Sequence, residues 1–144
     1  MDRFEQFIVP DTLANEKGYA NVFGDNGGMT YMGVTTVFYP GWAGWALIKA
    51  WIAKHGEPNR GYVFTESDIP GLRGMVINFY RSEFYNHLGG DRLENIDAAK
   101  DLFDTCVLNG LPTGIRLSCR ALEIDERTHA DEEFINKFNE VNTI

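Results

Sequence analysis

The chain has 144 residues, 44% of them hydrophobic and 24% charged, with a formal net charge of −8. That length suits one domain with a core that needs no staples, and the composition is that of an ordinary soluble globular protein. The acidic balance excludes a nucleic-acid or anionic-membrane binder, which would need a basic surface. No apolar segment approaches the ~18 residues of a membrane span, and the N-terminus lacks the basic-then-apolar pattern of a secretory signal.

In chain order, a first helix is expected over 3–15, with Phe4, Phe7, Ile8 and Leu13 on its apolar side. Pro10 predicts a break and restart near Asp11 or Thr12. Gly18 predicts a stop that leaves Glu16 on the last helical turn. Residues 19–35 read as an irregular β-hairpin, with strands over 19–23 and 29–32 around a run rich in Gly, Asp and Asn. Pro40-Gly41 leads into a helix over 42–55, where Trp45, Ile48, Trp51 and Ile52 fall at helical spacing. Residues 56–61 are a loop, and Thr65 with Asp68 resembles a helix start. A helix over 71–85 carries Leu72, Met75, Val76 and Phe79 before Gly89-Gly90-Asp91 ends it. A core helix over 96–108 follows, then a turn over 109–114. The next helix is marked by Ile115, Cys119 and Leu122, and a short last one by Phe134, Ile135 and Phe138. The architecture predicted is mainly α, with one small hairpin inserted after the first helix.

Cys106 and Cys119 form no Cys-x-x-Cys motif and read as buried thiols. His55, His87 and His129 lack ligand spacing, and the 24–27 loop lacks the acidic ladder of a calcium site, so neither a metal nor a cofactor is expected. The chemistry-bearing pattern is Glu16, Asp25 nine residues on, and Thr30 five beyond. Glycosidic cleavage needs a carboxylic acid to protonate the leaving oxygen and a second group to deliver water or replace it. A helix-end Glu16 facing Asp25 and Thr30 across a hairpin can supply both. Asp25 can equally cap its own turn, and Thr30 can be an ordinary strand threonine. The acidic run 123–133 reads as a solvated face.

Glu16-Lys17-Gly18-Tyr19, with Asn21, Asp25, Gly27-Gly28, Thr30 and Gly33-Val34-Thr35, resembles the Glu-Gly-Gly-Tyr signature of the glycoside hydrolase family 108 muramidases. Tyr80-Arg81 with Phe84-Tyr85, Gly90-Asp91-Arg92-Leu93, and Phe103-Asp104 before Asn109-Gly110 resemble later stretches of the same family, over about 4–124. The resemblance implies a single lysozyme-like domain over 1–144 and a muramidase cutting the β-1,4 MurNAc–GlcNAc bond of peptidoglycan strands, in the periplasm or cell wall. It implies Glu16 as catalytic acid, Asp25 and Thr30 as water-orienting residues, and Tyr19, Asn21, Arg81, Tyr85 and Asp104 as substrate-binding or cleft-supporting ones. Lys17 departs from the signature by setting a charge beside the acid, and Leu108 stands where many relatives carry Asn. The region from about 110, where relatives continue into a proposed wall-binding extension, stops early, so the expectation is either a weak grip on the wall or wall binding supplied by a partner chain. The alternatives are a non-catalytic peptidoglycan-binding or assembly module of a phage or secretion apparatus and, among enzymes, a lytic transglycosylase.

Overall fold

The computed structural model describes residues 2–24 and 28–143. Among them are six α-helices and one small antiparallel sheet, so the protein is mainly α as the sequence predicts. The helices are α1 (Val9–Asn15), α2 (Gly44–His55), α3 (Leu72–Tyr80), α4 (Ile96–Asn109), α5 (Leu111–Leu122) and α6 (Glu132–Val141). The strands are β1 (Ala20–Asn21), β2 (Met29–Tyr31) and β3 (Val34–Thr35), in the order β1-β2-β3. No described helix is long and apolar enough to cross a membrane. The chain divides into two compact units, one of Leu13–Asn78 and one of Met1–Thr12 with Phe79–Ile144.

The unit of residues 13–78 holds the sheet. Ala20 pairs with Thr30 and Asn21 with Met29, while Thr30 pairs with Thr35 and Tyr31 with Val34. The two-residue link Met32-Gly33 has φ of 47° and 85°, the positive values a tight hairpin turn needs to match strand twist. The sheet thus has one strand more than the sequence-predicted hairpin, because Gly33 lets the chain double back at once. Met29, Tyr31 and Val34 turn into the core with Trp45, Ile48, Phe64, Leu72 and Val76. Phe64 is the hub of the ring packing, 5.1 to 6.5 Å from Tyr19, Tyr31, Trp51 and Tyr62. Thr65 and Asp68 make the reciprocal capping bonds expected of a helix start, at 3.0 and 3.1 Å. They close only a turn, and α3 starts later, at Leu72.

The other unit builds its core from Phe4, Phe79, Tyr80, Tyr85, Leu102, Phe103, Cys106, Ile115, Cys119 and Phe134. Both cysteines are buried free thiols, as expected, and burial pushes Cys106 up to about 12. Pro10 does not break the first helix. A π-helical turn, Phe4–Ile8, leads straight into α1, and Val9 N–H reaches back to the Phe4 carbonyl. The wider turn absorbs the donor that Pro10 lacks. α3 likewise runs into a π-helical turn, Arg81–Tyr85, and then a 3₁₀ turn, Asn86–Leu88. The turn expected over 109–114 shrinks to Gly110, with Pro112 in the first turn of α5, where its missing N–H costs nothing.

Candidate active site

Glu16 lies in a bend one residue beyond α1, half-buried. Burial raises its pKa above the ordinary 4.5 by penalising the carboxylate. Lys17 is exposed to solvent, and desolvation is the cause of the shift, so the charge beside the acid does not reverse it.

The backbone after Glu16 is tied down on two sides. Met32 N–H donates to the Lys17 carbonyl at 2.8 Å, fastening the segment to the β2–β3 turn. Tyr19 N–H donates to the Tyr62 carbonyl at 2.8 Å, and Gly61 N–H donates to the Tyr19 carbonyl at 2.7 Å. Between these ties lies Gly18, which is buried and has no left-handed φ. A Cβ there would overlap the carbonyl oxygens of Gly61 and Tyr62. Gly18 is therefore a close-approach glycine, not the helix stop that its position suggests.

Tyr19 is buried, and its hydroxyl donates to Glu57 Oε1 at 2.9 Å. Burial first, and Glu57 second, push Tyr19 up to about 12, while the Asn21 side chain bonds the same hydroxyl. Asn21 Oδ1 is buried without a hydrogen-bond partner among the described residues. Tyr19–Val22 and Glu57–Arg60 together line a pocket of ≈ 410 Å³. Thr30 is at the centre of β2, half-buried, on the face away from the core-facing Met29 and Tyr31. Asp25 lies outside the described residues.

Arg81, Tyr85 and Asp104 belong to the other unit, and each is engaged there. Arg81 donates to Asp2 at 2.7 Å and to Glu5 at 3.0 Å, and lies 4.9 Å from the Phe4 ring centre. Tyr85 donates to Asp91 at 3.0 Å, and burial, then this bond, holds its hydroxyl well above the usual range. Asp104 accepts the Thr12 hydroxyl at 2.7 Å. Sequence reasoning missed Glu57, Asn59 and Arg60, which form one wall of the pocket beside the signature tyrosine. The Gly-bounded loop 56–61 was the available signal, but its partner strand lies some forty residues away. No group of three or more His, Cys, Asp or Glu able to hold a metal occurs among the described residues.

Charge divides unevenly. Residues 13–78 carry five Lys or Arg against five Asp or Glu, so the whole −8 falls on the other unit. Glu16 therefore belongs to a charge-balanced unit.

No curated protein matches the sequence. Among solved structures the fold resembles that of Brucella abortus SagA, with a TM-score of 0.57 and 19% identity; the match covers 92% of this chain and 66% of that one. The chain thus spans slightly less than two thirds of SagA's length, and at this identity the likeness shows the fold. The model of the family described as glycosyl hydrolase 108 matches residues 9–110, well over half of the chain and including Glu16, the sheet and the 57–60 loop. On that match the chain belongs to glycosyl hydrolase family 108, a family of glycoside hydrolases.

Proposed function

We propose that this protein is a peptidoglycan hydrolase, a muramidase that cleaves the β-1,4 bond between N-acetylmuramic acid and N-acetylglucosamine with Glu16 as general acid. One observation carries the reading: within the family-matched span, Glu16 is a half-buried carboxyl with a raised pKa, next to backbone tied down on both sides. A general acid must hold its proton at working pH and stand still while it delivers it. Glu16 protonates the glycosidic oxygen as the bond breaks. Asp25 holds the attacking water with the Thr30 hydroxyl, an assignment that rests on the family resemblance. A water held in that way attacks the far face of the sugar and inverts it, which requires carboxylates ~6.5–9.5 Å apart.

Tyr19 and Asn21 bind substrate in this reading, while Arg81, Tyr85 and Asp104 act as supports through the partners they hold. Residues 1–144 work as one lysozyme-like domain on glycan strands at the cell wall. The test is a digest of purified peptidoglycan read by mass spectrometry, wild type beside Glu16→Gln. Wild type is expected to release reducing muramic acid ends and the variant none. Lysis retained by Glu16→Gln overturns the role of Glu16, and 1,6-anhydro ends from wild type reassign the reaction to a lytic transglycosylase. Co-sedimentation of wild type with walls, without release of reducing sugar, supports a binding module instead.

A further inference from the structure

The pocket between β1 and the 57–60 loop has a chemistry distinct from that of Glu16. Its lining pairs apolar Ala20, Val22 and Pro58 with the amides of Asn21 and Asn59, the Glu57 carboxylate and one cation, Arg60. None of the ion pairs among the described residues engages Arg60. Arg81, Arg92, Arg120 and Arg127 are each paired with a carboxylate, whereas Arg3, Arg73 and Arg116 share with Arg60 the lack of an ion pair among the described residues. Glu57 gives Oε1 to the Tyr19 hydroxyl, which leaves its other oxygen to accept an N–H or O–H. Asn21 Oδ1 adds a shielded acceptor in the same wall, without a hydrogen-bond donor among the described residues. An unpaired guanidinium beside amide and carboxylate acceptors matches a ligand that carries both an amide and an anion.

We propose that this pocket is a subsite for a carboxylate borne by the substituents of the glycan strand, paired with Arg60, while Glu57 and Asn21 accept its amide N–H groups. The proposal rests on the glycan-hydrolase reading and adds the part of the substrate that a bare sugar chain lacks. Two sources carry this chemistry: the free lactyl acid of peptide-stripped strands, and the stem-peptide carboxylates of intact ones. The pocket is rimmed by β1 directly after the tied segment 17–19, so a ligand held by Arg60 is registered against the backbone that follows Glu16.

Binding is measured by calorimetry in the Glu16→Gln background, so that turnover does not interfere and the result does not depend on whether the wild type hydrolyses the strand. Three probes are used: an N-acetylglucosamine oligomer without carboxylates, peptide-stripped glycan strands, and intact strands with stem peptides. Adding Arg60→Gln is expected to weaken binding of a carboxylate-bearing strand about tenfold or more, with the uncharged oligomer unaffected. Adding Arg60→Lys in its place is expected to keep part of the affinity. Loss confined to stripped strands assigns the lactyl acid, and loss confined to intact strands assigns the stem peptide. Equal weakening on all three probes, or no change on any, overturns the subsite. Arg60 is exposed and has no ion pair among the described residues, so an unchanged melting temperature is expected of both variants.

Discussion

Glu16 gains a proton reservoir at the expense of folding stability. Its carboxyl is raised in the folded state, so the native protein binds this proton more tightly than the unfolded chain does. Its contribution is therefore most favourable below the ordinary 4.5 and is lost as pH rises through the raised value. Glu16→Gln is expected to melt at or above the wild-type temperature at pH 7, the difference closing below about pH 4, as calorimetric scans across pH would reveal. A variant less stable than wild type at pH 7 contradicts that account. The same shift has a kinetic face: turnover is expected to fall as pH rises through the Glu16 pKa, giving a descending limb above 4.5 in the pH–rate profile. Gly18 predicts the opposite kind of variant. Gly18→Ala sets a methyl against two carbonyl oxygens, with an expected cost of about 1–3 kcal/mol from overpacking. Activity should drop further than stability explains, because the displaced segment adjoins Glu16. Urea titration beside a wall-lysis assay separates the two effects.

At the scale of elements, patterns that repeat along the chain were legible and pairings between distant segments were not. Ile48, Phe79, Leu102 and Cys106 lie on the faces that 3.6-residue periodicity assigned to the core, and all four are buried. Pro10 misled because a π-turn is written in no local signal: Val9 reaches the Phe4 carbonyl and the helix simply widens. Gly18 misled for another reason. A glycine after a helix reads as a stop, and only residues 61–62 reveal that it is there for close approach. Glu57 stayed invisible because its link to Tyr19 spans 38 residues. Of the candidate site, then, the helix leading to Glu16 was readable, although it ends one residue before the glutamate and not on it, while the loop wall opposite Tyr19 was not. One element-level contact is open to direct test. The Thr12 hydroxyl in α1 donates to Asp104 in α4 at 2.7 Å, so Thr12→Val should cost about 1–2 kcal/mol in chemical denaturation. If Asp104 serves only as a support, KM for peptidoglycan should stay unchanged in the same variant, and a raised KM would give Asp104 a direct role with substrate.

For the whole molecule, the acidic excess of −8 counts mildly against an enzyme of anionic walls. Residues 13–78 are charge-balanced, so the field that repels an anionic polymer originates in the charges of the other unit. Such a field is screened over about 10 Å at 0.1 M salt. Wall lysis is expected to rise about two- to fivefold between roughly 10 and 100 mM salt as repulsion is screened. A steep fall over the same range in a turbidity assay would mean that attraction, not repulsion, governs the encounter.

The division of the chain also sets an order of events during synthesis. Phe4 rests against Tyr85 and Phe103 at 4.5 and 5.4 Å between ring centres, and Glu5 receives Arg81. All of those partners are translated after residues 13–78 are complete. At the ~5–20 residues per second of a ribosome, the first helix waits about 4–18 s for the last of the rings and the guanidinium that cover it. Meanwhile the unit bearing Glu16 has its full sequence and is free to fold first. A chain truncated after residue 80 should therefore already protect β1 and β2 from protease while leaving Phe4 and Phe7 open to cleavage, so the half bearing Glu16 is ready before the half that encloses Phe4.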